Sequence, residues 1–113
     1  MTPTELGDEL RRLMLLLDEG LKVLRESTIE LAEAERDYRL AKGLSWVHHT
    51  DGIGAERQAL VDGETADLRY DRDLAEGKRR AALESVRARQ TQISACQTLA
   101  QAHRAEAEFA RTT

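Results

Sequence analysis

Leu10, Leu17, Leu24, Leu31 and Tyr38 stand seven residues apart without a slip. A companion series, Leu13, Gly20, Ser27, Ala34 and Ala41, is almost all small. Apolar residues recurring at this interval, with charges between them, predict a helix that packs lengthwise on another helix. Thr2-Pro3-Thr4-Glu5 is its start signal. Thr2 is placed to accept from the Glu5 N–H, Glu5 to reach back to Thr2, and Pro3 suits the first helical position. The predicted helix covers 3–46. A turn over 47–54 follows, with Thr50-Asp51-Gly52-Ile53-Gly54 as turn residues. A short helix is expected over 55–62, a kink at Asp62-Gly63, and a second long helix over 64–111.

The second long helix carries two apolar stripes. Leu74, Ala81, Ala88, Ala95 and Ala102 form another unbroken seven-residue series. A leucine seam against an alanine seam is a volume match. It predicts an antiparallel pairing with Leu10 by Ala95, Leu17 by Ala88, Leu24 by Ala81 and Leu31 by Leu74. The other stripe is Leu68, Ala75, Ala82, Val86, Ile93 and Ala100. Helix 1 also has apolar residues off its seam, among them Met14, Leu16, Leu21, Val23, Ile29 and Leu40. The expected fold is all-α: one coiled-coil-like antiparallel hairpin of two long helices, a single domain over 1–113. Two helices cannot cover every one of these residues, and exposed apolar strips are normally buried by a partner. Self-association through Leu68, Val86, Ile93, Leu16 and Val23 is therefore expected, most simply as a four-helix bundle.

Composition narrows the class. With 34% charged residues, one Pro and only four aromatic rings among 113 residues, the chain reads as long helices and not as a sheet protein. The net charge of −4 is mild. The apolar run from Leu13 to Leu17 is far short of a membrane span, so no membrane partner is expected. Met1 is followed by Thr, Pro, Thr and Glu instead of a basic and then apolar leader, and Cys96 has no second cysteine to pair with. These features predict a cytoplasmic protein.

Candidate chemistry is sparse. His48 and His49 point about 100° apart on a helix and do not converge on one ion. Cys96 has no base within hydrogen-bond reach, His103 lying about two turns on. Gly52-Ile53-Gly54 lacks the Lys-Ser/Thr of a phosphate loop. No catalytic residue, metal or cofactor is expected, and the chain reads as a non-enzyme. Trp46 is a lone large ring in the turn region. The most charged stretch is Lys78-Arg79-Arg80 with Arg87 and Arg89, five basic residues against Glu84. It suits a phosphate backbone or an acidic protein segment. It equally suits a solvated face complementing Glu19 and Glu26 of helix 1.

The run Glu30-Leu31-Ala32-Glu33-Ala34-Glu35-Arg36-Asp37-Tyr38-Arg39-Leu40-Ala41-Lys42 is followed by a glycine-bearing turn. After it comes Ala66-Asp67-Leu68-Arg69-Tyr70-Asp71-Arg72-Asp73-Leu74-Ala75-Glu76. In this order the chain resembles small helical-hairpin proteins of the early regions of tailed bacteriophages, encoded near recombination and replication genes. The resemblance implies a phage-encoded accessory protein and carries over no catalytic residue. A weaker resemblance is to secreted hairpin proteins with a Trp-X-Gly turn, where this chain has Trp46-Val47-His48.

Two functional readings stand open. In one, the protein is a non-enzymatic accessory of phage DNA recombination or replication, touching DNA or a phage or host DNA-metabolism protein through Lys78, Arg79, Arg80, Arg87 and Arg89. In the other, it is a structural or host-modulating protein that binds protein alone.

Overall fold

The computed structural model describes residues 1–112. Three helices follow in order: α1 Pro3–His48, α2 Gly54–Glu64 and α3 Ala66–Thr112. No strand occurs among the described residues. The start signal forms as its residues dictate. Thr2 N–H donates to Glu5 Oε2 at 3.1 Å, and Glu5 N–H donates to Thr2 Oγ1 at 3.2 Å.

The first helix runs two residues past the expected end. His49 N–H still reaches the Ser45 carbonyl at 3.1 Å. The chain then turns through Asp51 and Gly52. A Cβ on Gly52 would stand 3.3 Å from the Arg57 nitrogen, so this close approach to the first turn of α2 favours glycine. The interruption between α2 and α3 falls at Thr65, not at the expected Asp62-Gly63. Gly63 keeps ordinary helical backbone. Thr65 instead sends both its N–H (3.0 Å) and its hydroxyl (2.7 Å) to the Val61 carbonyl. Thr65 is buried there, and its backbone at φ −103°, ψ 7° leaves the helical range and separates the two helices.

The chain divides into two compact units. Unit 1 combines Met1–Leu24 with α3 from Ala82 onward. Its core is Leu6, Leu13, Ala82 and Val86. Unit 2 is Arg25–Ala81. Its buried residues are Ser27, Ser45, Val61, Thr65 and Ala75. In unit 2 rising numbers on α1 meet falling numbers on α3: Thr28 faces Arg79, Glu30 faces Lys78 and Glu35 faces Arg72.

The two stripes of α3 are exchanged relative to expectation. Ala81, Ala88, Ala95 and Ala102 are exposed, and Leu74 is 48% exposed. The stripe through Leu68, Ala75, Ala82, Val86, Ile93 and Ala100 is the buried or half-buried one. Burial of Leu, Val and Ile removes more apolar surface from water than burial of alanines, and at about 25 cal/mol per Å² this decides the face. On α1 the deepest residues are Leu6, Leu13, Ser27 and Ser45, two of them members of the companion series. Leu13 is 2% exposed and Ser27 7%, while Leu10, Leu17, Leu24, Leu31 and Tyr38 are half-buried beside them. Small residues permit the closest backbone approach, so the seam closes over them.

Candidate interaction surface

The basic stretch of α3 is largely committed inside unit 2. Lys78 Nζ lies 3.3 Å from Glu30 Oε1, Arg79 Nε donates to Thr28 Oγ1 at 3.2 Å, and Arg80 pairs with Glu76 at 3.3 Å. In unit 1, Arg89 donates to Gln92 at 3.0 Å, while the exposed Arg87 guanidinium has no ion-pair partner among the described residues. The acid that answers Lys78 is thus Glu30, neither Glu19 nor Glu26. This follows from the exchanged stripe, which turns the basic residues toward a later stretch of α1.

A stronger ion pair joins Arg72 to Glu35. Arg72 Nε sits 2.7 Å from Glu35 Oε2, both side chains about two-thirds covered, and Arg39 adds a second contact at 3.0 Å. The Arg72 hydrogen bond, with Arg39 in support, holds the Glu35 carboxyl below the usual carboxylate range. Arg72 and Lys42 also lie over the Tyr38 ring, at 6.0 and 5.8 Å from its centroid.

Residues expected to bind a second copy are divided by the structure. Val86 is 4% exposed and faces Gly20, and Leu68 and Ile93 are half-buried on the same inward stripe. Val86 is consumed by packing within the chain, which corrects its assignment to a self-association surface, while Leu68 and Ile93 keep part of their surface open, as Leu16 does. Leu16 is half-buried and Val23 is exposed. Near them in unit 1, Met14, Leu15 and Leu21 are 56%, 68% and 45% exposed.

The turn region of unit 2 is tied by two polar knots. The Arg57 guanidinium stacks 4.2 Å from the Trp46 ring centroid, and Arg57 Nε donates to the Trp46 carbonyl at 3.0 Å. Arg57 thereby caps the last turn of α1 and fixes its only indole. In the second knot, buried Ser45 donates its hydroxyl to Glu64 Oε2 at 2.5 Å and His49 Nε2 meets Glu64 Oε1 at 2.7 Å. The Ser45 hydroxyl first, and His49 second, hold the Glu64 carboxyl below its ordinary range. Here the serine bonds the carboxylate and not the imidazole, so His49 is not placed to take its proton, as a nucleophilic serine requires. His48 and His49 join no metal-holding cluster among the described residues. Cys96 is half-buried on the packed stripe of α3.

Unit 1 holds an apolar groove of about 360 Å³ where the first turns of α1 meet the last turns of α3. Leu6, Leu10, Ala100 and Ala107 line it, with His103 and Arg104 on its α3 side. The heptad pattern of the sequence does not reveal this groove. The signal available was small residues, Gly7, Ala100 and Ala107, at positions flanking the packed stripes. No helix among the described residues is long and apolar enough to cross a membrane. No family model, no curated protein and no solved structure matches the chain.

Proposed function

We propose that this protein is a non-enzymatic, phage-encoded interaction protein, a helical hairpin that self-associates and holds a protein of phage or host DNA metabolism. The observation that carries the reading is the solvent-facing set Met14, Leu15 and Leu21 in unit 1, in a segment whose inward positions are already filled by Leu13 and its neighbours. Large apolar side chains clustered on one exposed stretch mark contact surfaces more often than scattered single ones do. The phage assignment rests on the 30–42 and 66–76 runs. The commitment of Lys78, Arg79, Arg80 and Arg89 to partners within the chain favours a protein partner over DNA.

Two measurements test this. Light scattering at micromolar concentration is expected to give a particle at least twice the 12.7 kDa chain mass; a monomer removes self-association. Affinity capture from host lysate is expected to retain a specific protein with wild type and to lose it with Met14, Leu15 and Leu21 changed together to Ser. The DNA reading is favoured only by Arg87, whose guanidinium is unanswered. A salt titration decides it: binding that steepens as salt falls and weakens in Arg87→Ala would restore direct phosphate contact.

A further inference from the structure

We propose that the groove of unit 1 is the docking site for an acidic amphipathic helix of a partner protein, an inference that rests on the binding role just proposed. The groove is lined from Pro3 to Leu10 on α1 and from Ala100 to Ala107 on α3. Each stretch is about 11 Å long at 1.5 Å per residue, the length over which a helix presents one or two apolar anchors. The lining that argues for apolar anchors is Leu6, Leu10, Ala100 and Ala107.

Charge identifies what accompanies the anchors. The facing turns of α1 carry three carboxylates, and each is engaged within its own helix: Glu5 by Thr2, Asp8 by Arg11, Glu9 by Arg12. The Arg12 hydrogen bond holds Glu9 below the usual carboxylate range, in keeping with a carboxylate already satisfied. Across the groove Arg104 has no acid partner among the described residues, and His103 stands half-buried next to it. The side chains of α1 therefore leave the cation of α3 unanswered. A carboxylate three or four residues from an apolar anchor on an incoming helix would lie on the same face as that anchor and meet Arg104. A phosphate backbone is a poor occupant, because the apolar lining of Leu6, Leu10, Ala100 and Ala107 offers it nothing to bury.

Gly7 supplies the means of testing this. It lines the groove, and a Cβ there would meet only the far end of the Arg11 side chain, at 3.8 Å. Gly7→Leu would fill the groove from one wall while improving helix propensity, and Ala107→Leu, at an exposed position, would fill it from the other. The probe is a capped, fluorescein-labelled helical peptide with Leu at alternating three- and four-residue spacing and Glu between, read by anisotropy with the full chain. Twins carry Gln or Lys in place of Glu.

Saturable binding of the Glu peptide is expected, about tenfold weaker for the Gln twin and lost for the Lys twin. Arg104→Gln is expected to weaken the Glu peptide about tenfold and leave the Gln twin unchanged. Gly7→Leu and Ala107→Leu are expected to abolish binding with helical circular dichroism intact. The proposal is overturned by no saturable binding to wild type, by equal binding of the Lys twin, or by unchanged binding when either wall is filled. Sedimentation showing that both filling variants dissolve a dimer would overturn it too, in favour of a second copy in the groove. A chain that still captures its lysate partner when the groove is filled would lose this site and keep its binding role.

Discussion

Val86 holds its Cγ2 methyl 3.4 Å from the point where a Cβ on Gly20 would stand. One methyl thus fits at residue 20 at the limit of ordinary contact. Gly20→Ala gains about 1 kcal/mol of helix propensity, which the snug contact partly offsets. A rise of a few degrees in Tm is expected, at ~4–8 °C per kcal/mol for a chain of this order. Gly20→Leu is expected to lose about 1–3 kcal/mol by overpacking. Thermal melts of the pair check this, and a stabilised Leu variant would mean that Gly20 and Val86 do not face each other.

The exchanged stripes of α3 give a second contrast. Ala82 is buried and Ala88 exposed, although both are alanines on one helix. Ala82→Leu should lower stability by about 1–3 kcal/mol. Ala88→Leu should leave it within about 0.5 kcal/mol of wild type. Denaturant titrations of both would reveal the opposite ranking if the alanine seam faced inward.

Acid should loosen unit 2. Glu35 and Glu64 have folded pKa values below their ordinary 4.5, through Arg72 in one case and Ser45 with His49 in the other. A carboxyl with a depressed folded pKa contributes stability that is fully present above its unfolded value. That stability is lost as pH falls through the folded one. Tm is therefore expected to be flat above about pH 5 and to fall steadily below pH 4.5. Glu35→Gln should start lower and fall less over the same range. A Tm independent of pH between 6 and 3 would contradict this.

Ser45 and Glu64 should behave as a coupled pair. Removing Glu64 strands a buried hydroxyl, whereas removing both leaves nothing unsatisfied. Glu64→Ala should therefore lower Tm more than Ser45→Ala does, and the double variant should be no worse than Glu64→Ala alone. Additive losses in this cycle would show that the hydroxyl does not depend on the carboxylate.

Arg57→Ala should release Trp46. The lost stacking contact is worth about 0.5–1 kcal/mol at such a site. The expected signature is local: a red-shifted, altered Trp46 emission and faster proteolysis between residues 49 and 53, with helix content nearly unchanged. The single tryptophan makes the assignment unambiguous.

The sequence by itself determined the all-helical state, the Thr2–Glu5 start and the approximate place of the turn, because these depend on contacts within a few residues. It also marked Leu13, Gly20 and Ser27 as packing positions, since their spacing allows no other face of one helix to bury them together. Only the tertiary structure decided which stripe of α3 turns inward. Both stripes repeat at helical spacing, and the choice is made by how much area each buries against α1. That choice then sent Lys78 to Glu30, removed Val86 from the surface and left Arg104 beside an open groove. None of these follows from spacing along one helix, because each depends on the rotation of two helices about one another.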